Sequence, residues 1–215
     1  MYHCKICQST IKSVVDTEKN LTYHRCLACG FVYLDNRHRV ESIREKQQYL
    51  QHNNGFENEG YVQMFESFLD HAVAPYLPII NSALDFGSGP GPVLSTLLER
   101  RGVEEVDIYD LYFSPERVYE GKSYDLITST EVFEHLHKPL EIVEMLVNHL
   151  NAEGYLIVMT KFPPKEDRLF LDWWYRRDPT HISFFTPESF EVMAESVGLK
   201  VLRILNDNVV VFQKC

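Results

Sequence analysis

The sequence predicts an α/β protein: a mostly parallel sheet with helices packed on it, preceded by a small module pinned by cysteines. Three observations carry that expectation. Ala83-Leu84-Asp85-Phe86-Gly87-Ser88-Gly89-Pro90-Gly91-Pro92 reads as a buried strand running through a glycine-rich turn into a helix. From residue 82 onward, apolar strand-like runs alternate with amphipathic stretches, the order that builds a parallel sheet. Cys4, Cys7, Cys26 and Cys29 form two CxxC knuckles with eighteen residues between them, a spacing that suits four thiolates around one zinc ion.

Taken in order, residues 1–38 are expected to fold as a zinc ribbon. Runs at 11–17 and 21–25 read as a hairpin turning at Glu18-Lys19-Asn20, and Phe31 to Leu34 as a further strand. Four thiolates close the tetrahedron and leave no open position, so the ion is read as structural. Residues 39–80 are expected to be a helical connector. A polar helix over 40–51 is broken by His52-Asn53-Asn54-Gly55. Tyr61, Met64, Phe65, Phe68, Leu69, Ala72, Val73 and Tyr76 then repeat at helical spacing and stop before Pro78.

The main domain spans residues 81–215. After the glycine turn, Val93, Leu94, Leu97 and Leu98 share one helix face, and Gly102 lies just past its end. Residues 106–110 form a second strand ending in Asp110, which lies 25 residues beyond Asp85. That is where a dinucleotide-type fold places the acid that receives ribose hydroxyls. Ser114-Pro115-Glu116 suggests a short helix before a strand over 124–128. A helix carrying Ile142, Val143, Leu146, Val147 and Leu150 and a strand over 155–159 follow. Residues 161–185 read as an irregular insertion holding both tryptophans. Thr186 caps a helix that starts at Pro187 and closes at Gly198, and residues 201–213 read as a hairpin across Asn206-Asp207-Asn208.

Composition narrows the function. A net charge of −10 disfavours broad nucleic-acid binding, which depends on neutralising phosphates. The densest basic pairs, Arg100-Arg101 and Arg176-Arg177, read as solvated surface. No apolar run approaches the ~18 residues of a membrane span, and the first residues lack a signal-peptide pattern. The expected location is the cytoplasm, where thiolates serve as metal ligands.

With the glycine turn, Asp110, the run Tyr124-Asp125-Leu126-Ile127-Thr128-Ser129-Thr130-Glu131-Val132-Phe133-Glu134-His135-Leu136 and the entry to the strand at 155, the chain resembles the class I S-adenosylmethionine-dependent methyltransferases over about residues 60–215. The resemblance implies a Rossmann-like, seven-stranded sheet with a terminal antiparallel hairpin. It also implies methyl transfer from S-adenosylmethionine to a small or medium-sized acceptor. Asp85, Gly87, Gly89, Gly91, Asp110, Leu111, Ser129 and Thr130 would sit at the cofactor. Only thirteen residues, 111–123, separate the ribose acid from the next strand, so the adenine side is expected to be abbreviated.

The acceptor side is expected to hold Glu131, His135, Tyr175 and His181, with His181 as the base for a hydroxyl nucleophile. The aromatic insertion would form a lid and substrate wall, or a cover on the first helix of the main domain. Glu131, Glu134, His135 and His181 also resemble the set with which metal-dependent methyltransferases acting on the terminal ribose of small RNAs hold a divalent cation. Capping of a helix start explains Glu134 and His135 equally well. The zinc ribbon resembles the module ahead of sugar C-methyltransferases, whose C-terminal domain has no counterpart in this sequence. A module that binds the cofactor without turnover is the non-enzymatic alternative.

Overall fold

The computed structural model describes residues 3–40, 42–50 and 54–215. The expected breaker residues His52-Asn53 and the end of the preceding helix at Gln51 lie outside the described residues. Two sheets organise the chain. The larger has six strands in the order β5-β4-β6-β7-β10-β9: β4 (Ser82–Phe86), β5 (Glu105–Tyr109), β6 (Tyr124–Thr130), β7 (Leu150–Met159), β9 (Leu199–Leu205) and β10 (Val209–Lys214). Neighbours among the first four are parallel, while β10 runs antiparallel to both β7 and β9.

Among the described residues the sheet thus has six strands in place of the seven expected. Residues 111–123 form turns and one isolated bridge between Asp110 and Ser114, and the short helix expected from Ser114 does not form. Thirteen residues are too few for both a crossover helix and another strand. β5 is left as an edge of the sheet.

Strand periodicity splits the core between the two faces of this sheet. Ala83, Leu126, Ile157 and Val211 pack with α2 (Glu59–Phe68) and α3 (Val93–Arg100). Leu84, Phe86, Ile127, Leu156, Val158, Val210 and Phe212 pack on the opposite side with α4 (Pro139–Asn148) and α6 (Pro187–Ser196). The amphipathic stretch of the connector continues past α2 as a π-helical turn, Leu69–Val73. α6 starts as expected: Thr186 and Ser189 exchange hydrogen bonds as a capping box, with Pro187 in the first turn.

The smaller sheet runs β1-β2-β3-β8. The expected hairpin is present as β1 (Ile11–Asp16) and β2 (Leu21–Cys26), followed by β3 (Val32–Leu34). Its fourth strand, β8 (Ser183–Phe184), comes from the distant insertion. That insertion is not irregular: it holds α5 (Asp167–Asp172), a 3-10 turn at Trp174–Arg177 and β8. Its aromatics cover the ribbon rather than α3, because Phe170, Trp173 and Phe184 pack around Tyr23.

One basic pair also departs from expectation. Arg176 is buried, not solvated, and its guanidinium lies 2.6 Å from Asp16, with Tyr23 and the carbonyl of Leu171 completing its surroundings. On the other face, Arg101 joins α3 to α2 through Glu66 and Asp70. Among the described residues no helix is long and apolar enough to cross a membrane.

Burial pushes the Asp16 carboxyl up, but hydrogen bonds from the Lys19 and Glu18 amides and from Arg176 hold it below the usual range. A depressed carboxyl contributes stability above its unfolded pKa and loses it as pH falls through the folded one. Asp16→Asn strands a buried guanidinium and should cost about 3 kcal/mol in urea unfolding at pH 7. The gap between variant and wild type should narrow below about pH 4.

Candidate active site

A cavity of about 740 Å³ opens at the carboxyl ends of β4, β5 and β6, the edge where open α/β sheets bind ligands. Its floor is the glycine turn. Gly87 has φ of +88°, and a Cβ there would lie 2.1 Å from Val132 Cγ2, so only glycine lets the turn pass beneath that valine. The Gly87 and Ser88 amides donate to the Tyr109 carbonyl at 2.7 and 3.2 Å, tying the turn to the end of β5.

Asp110 completes this end of the cavity. One carboxylate oxygen accepts from the Gly89 amide at 3.0 Å, the other from the Tyr112 and Phe113 amides at 2.8 and 3.0 Å. An ionised carboxylate offers about four acceptor positions, so Asp110 keeps capacity for a further donor from a ligand. Leu111, Tyr112 and Phe113 continue the wall, and Leu111 is 63% exposed.

Across the cavity the chain leaves β6 through Glu131, whose φ of +54° is unusual for a residue with a side chain. That conformation costs about 1–2 kcal/mol, and its amide is held by the Met159 carbonyl at 2.8 Å. A 3-10 turn at Phe133–His135 follows. Tyr175 reaches from the insertion and donates to both Glu131 and Glu134. The His135 and His181 rings lie 4.9 Å apart, and His181 sits 4.3 Å from the Tyr175 ring.

Electrostatics at this end favour cations. Burial, reinforced by the charge of Glu134, pushes Glu131 up to about 8; burial also raises Glu134, against the hydrogen bond from Tyr175. Glu134 is fully buried, and among the described residues its Oε2 meets no hydrogen-bond partner. A Glu134 carboxylate oxygen and one nitrogen each of His135 and His181 lie within 4.8 Å of one another. His135 Nδ1 bonds the Thr180 carbonyl at 3.0 Å and His181 Nδ1 bonds the Tyr175 carbonyl at 2.7 Å. A carbonyl only accepts, so each Nδ1 carries hydrogen, and in the neutral ring Nε2 carries the lone pair.

The expected residues thus fall into three groups. Gly87, Gly89, Asp110, Leu111 and Thr130, expected at the cofactor, and Glu131, His135, Tyr175 and His181, expected at the acceptor, all line the cavity. Asp85, Gly91 and Ser129 do not line it. Asp85 is buried below the turn and accepts from Thr128 at 3.2 Å; Ser129 is fully buried; Gly91 packs against the Asn54 carbonyl, which a Cβ would approach to 2.2 Å. Tyr61, read as core, lines the cavity, as do Asn54, Val132, Glu134 and Arg177. The sequence leaves Glu134 open between a helix cap and the metal-holding set; the structure buries it against the cavity.

The four cysteines converge in the ribbon. Sulfur separations are 3.7 Å for Cys4–Cys29, 3.4 Å for Cys7–Cys26 and 3.6 Å for Cys7–Cys29. Four sulfurs at ~2.3 Å from a tetrahedral zinc would be spaced about 3.8 Å apart, so the set fits such an ion. Amides of Ile6, Ala28 and Cys29 point at the sulfurs of Cys4 and Cys26, as expected around thiolates.

The family model for the methyltransferase domain matches residues 35–204. The chain belongs to that methyltransferase family. No curated protein matches it significantly in sequence. Among solved structures, an O-methyltransferase family protein from Burkholderia thailandensis is similar at a TM-score of 0.52 and 12% identity, over 79% of this chain and 62% of that one. TnmH is similar at a TM-score of 0.53 and 10% identity, over 73% of this chain and 57% of its own. These likenesses show a shared fold, and this chain spans about three fifths of their length.

Burial raises Asp85 to about 7, with the Asp110 charge adding and the Thr128 hydroxyl offsetting. A carboxyl raised above its unfolded pKa of about 3.9 stabilises the fold below that pH and loses the contribution as pH rises through 7. Asp85→Asn should therefore gain stability relative to wild type between pH 5 and 8. Urea midpoints at the two pH values read this directly; parallel curves would contradict a neutral, buried Asp85.

Proposed function

We propose that this methyltransferase uses S-adenosylmethionine and methylates a small or medium-sized acceptor. The observation that carries the reading is that one cavity is lined both by the glycine turn and Asp110 and by Glu131, His135, Tyr175 and His181. Asp110 would receive the ribose hydroxyls, Gly87 and Gly89 would lie under the amino-acid portion, and Leu111 to Phe113 would flank the adenine. Asp85, Gly91 and Ser129 would support this surface from behind. The bound cofactor supplies a methyl group on a sulfonium, already a good leaving group.

The tasks left to the chain are alignment, exclusion of water and management of one proton. Aromatic faces of Tyr61 and Tyr175 suit a cationic sulfur, and a cation at this end would draw the raised Glu131 toward its ionised form. His181, oriented by its Nδ1 bond to Tyr175, would take the proton of an acceptor hydroxyl at Nε2. Zinc on Cys4, Cys7, Cys26 and Cys29 would be structural, consistent with a reducing compartment such as the cytoplasm.

A second reading is favoured by the convergence of Glu134, His135 and His181. Those atoms suit a divalent cation of the magnesium or manganese class, with imidazole ligands tilting the set toward manganese. The ion would then hold the acceptor hydroxyls, as a terminal ribose would offer them, and His181 would be a ligand in place of a base. Manganese titration followed by electron paramagnetic resonance separates the readings. The metal reading expects one saturable ion lost in Glu134→Gln; the first expects none.

Asp110→Ala should weaken S-adenosylhomocysteine binding by about 1.5–3 kcal/mol, the range for hydrogen bonds to a charged group. Calorimetry giving equal affinities would remove Asp110 from the ribose. Tight binding without turnover on any acceptor would instead support the non-enzymatic alternative.

A further inference from the structure

The 3-10 turn Phe133–His135 presents Glu134 and His135 to the cavity, yet a three-residue turn leaves its closing carbonyls without partners of its own. Those carbonyls are bonded from the ribbon side. The Glu134 carbonyl accepts from the Ile182 amide at 2.7 Å, and the Ile182 carbonyl in turn accepts from the Leu34 amide of β3 at 2.9 Å. The Leu136 carbonyl accepts from Ser183 Oγ at 2.6 Å, and Ser183 pairs with Tyr33. The His137 carbonyl accepts from Lys5 Nζ at 2.9 Å, and Lys5 lies inside the first CxxC knuckle.

The same ladder fixes His181, which immediately precedes Ile182. At the other end of β8, Thr186 Oγ1 donates to the Cys29 carbonyl at 2.7 Å, so the second knuckle holds the residue that caps α6. The cofactor end is built differently. Its turn is bonded to Tyr109 and Asp110 of the main sheet.

We propose that the four-cysteine ribbon is the positioning element for the acceptor half of the cavity, acting through β3, β8 and Lys5 on Glu134, His135 and His181. Lys5, Ser183 and Thr186 are positioning residues in this scheme, and none of them touches substrate or cofactor. Closure of the thiolate site by an ion would then set acceptor geometry and act far less on the cofactor end, which it reaches through Val132 over Gly87. The proposal rests on the methyltransferase reading for the meaning of the two halves, but its test does not require a known acceptor.

The test uses the full chain, labelled for histidine side-chain NMR, with zinc content measured before and after chelation. Removal of zinc should shift or broaden the imidazole signals of His135 and His181, and zinc re-addition should restore them. S-adenosylhomocysteine affinity by calorimetry should change less than about twofold across the same steps. Because chelation could unfold the chain, Lys5→Met combined with Ser183→Ala is the second arm, with zinc retained; it should move the His135 signals and leave cofactor affinity in place. The proposal is overturned by purified protein without a stoichiometric ion, by unchanged histidine signals in either arm, or by cofactor affinity collapsing in step with them. Failure of the intact protein to bind S-adenosylhomocysteine, with the histidine response present, would count against the methyltransferase reading alone.

Discussion

Immediately after β6, the chain has to turn sharply and set two carboxylates and a histidine against one cavity, without a long helix to hold them. Residues 131–137 manage this through contacts on every side. Val132 sits over Gly87, the Glu131 amide is bonded to β7, and the carbonyls of Glu134, Leu136 and His137 are bonded toward the ribbon. Fully buried Phe133 anchors the turn against Phe185. A segment so dependent on its neighbours is well defined only when both sheets are in place. That coupling explains why the ribbon and the methyltransferase sheet share one apolar core, with Cys4, Cys26 and Cys29 packed in the same cluster as Phe133 and Phe185.

The charge balance of the cavity follows from the same turn. Buried Glu134 and half-buried Glu131 lie beside each other and share the Tyr175 hydroxyl. Burying two acids together is costly unless protons or a cation offset them. A sulfonium at the cavity and, in the second reading, a divalent ion at the histidines are alternative ways of meeting that demand. Both draw on the Nδ1 bonds of His135 and His181 to backbone carbonyls, which direct the other nitrogen of each ring.

The glycine turn, Asp110 and the Thr186 cap could be read from sequence because each is a local pattern with a local cause. Gly87 needs a positive φ, Asp110 ends a strand, and Thr186 meets Ser189 three residues on. What could not be read is long-range. β8 is only two residues long, and its partner lies about 150 positions earlier in the chain. Arg176 stands in a basic pair that resembles surface until Asp16, 160 residues away, is placed against it. Glu134 has the sequence context of a cap, and its burial depends on β8 and Tyr175. The seven-strand expectation came from the family pattern. The length of residues 111–123, visible in the sequence, is what rules out the extra strand.

A structure of the intact protein with S-adenosylhomocysteine would show whether one cavity takes both the cofactor and the acceptor. The expected pose puts the ribose hydroxyls on Asp110, the adenine beside Leu111 to Phe113, and the sulfur toward Glu131 and His181. A ligand bound outside the cavity, or within it with Asp110 unengaged and the sulfur turned away from His181, would rule that arrangement out.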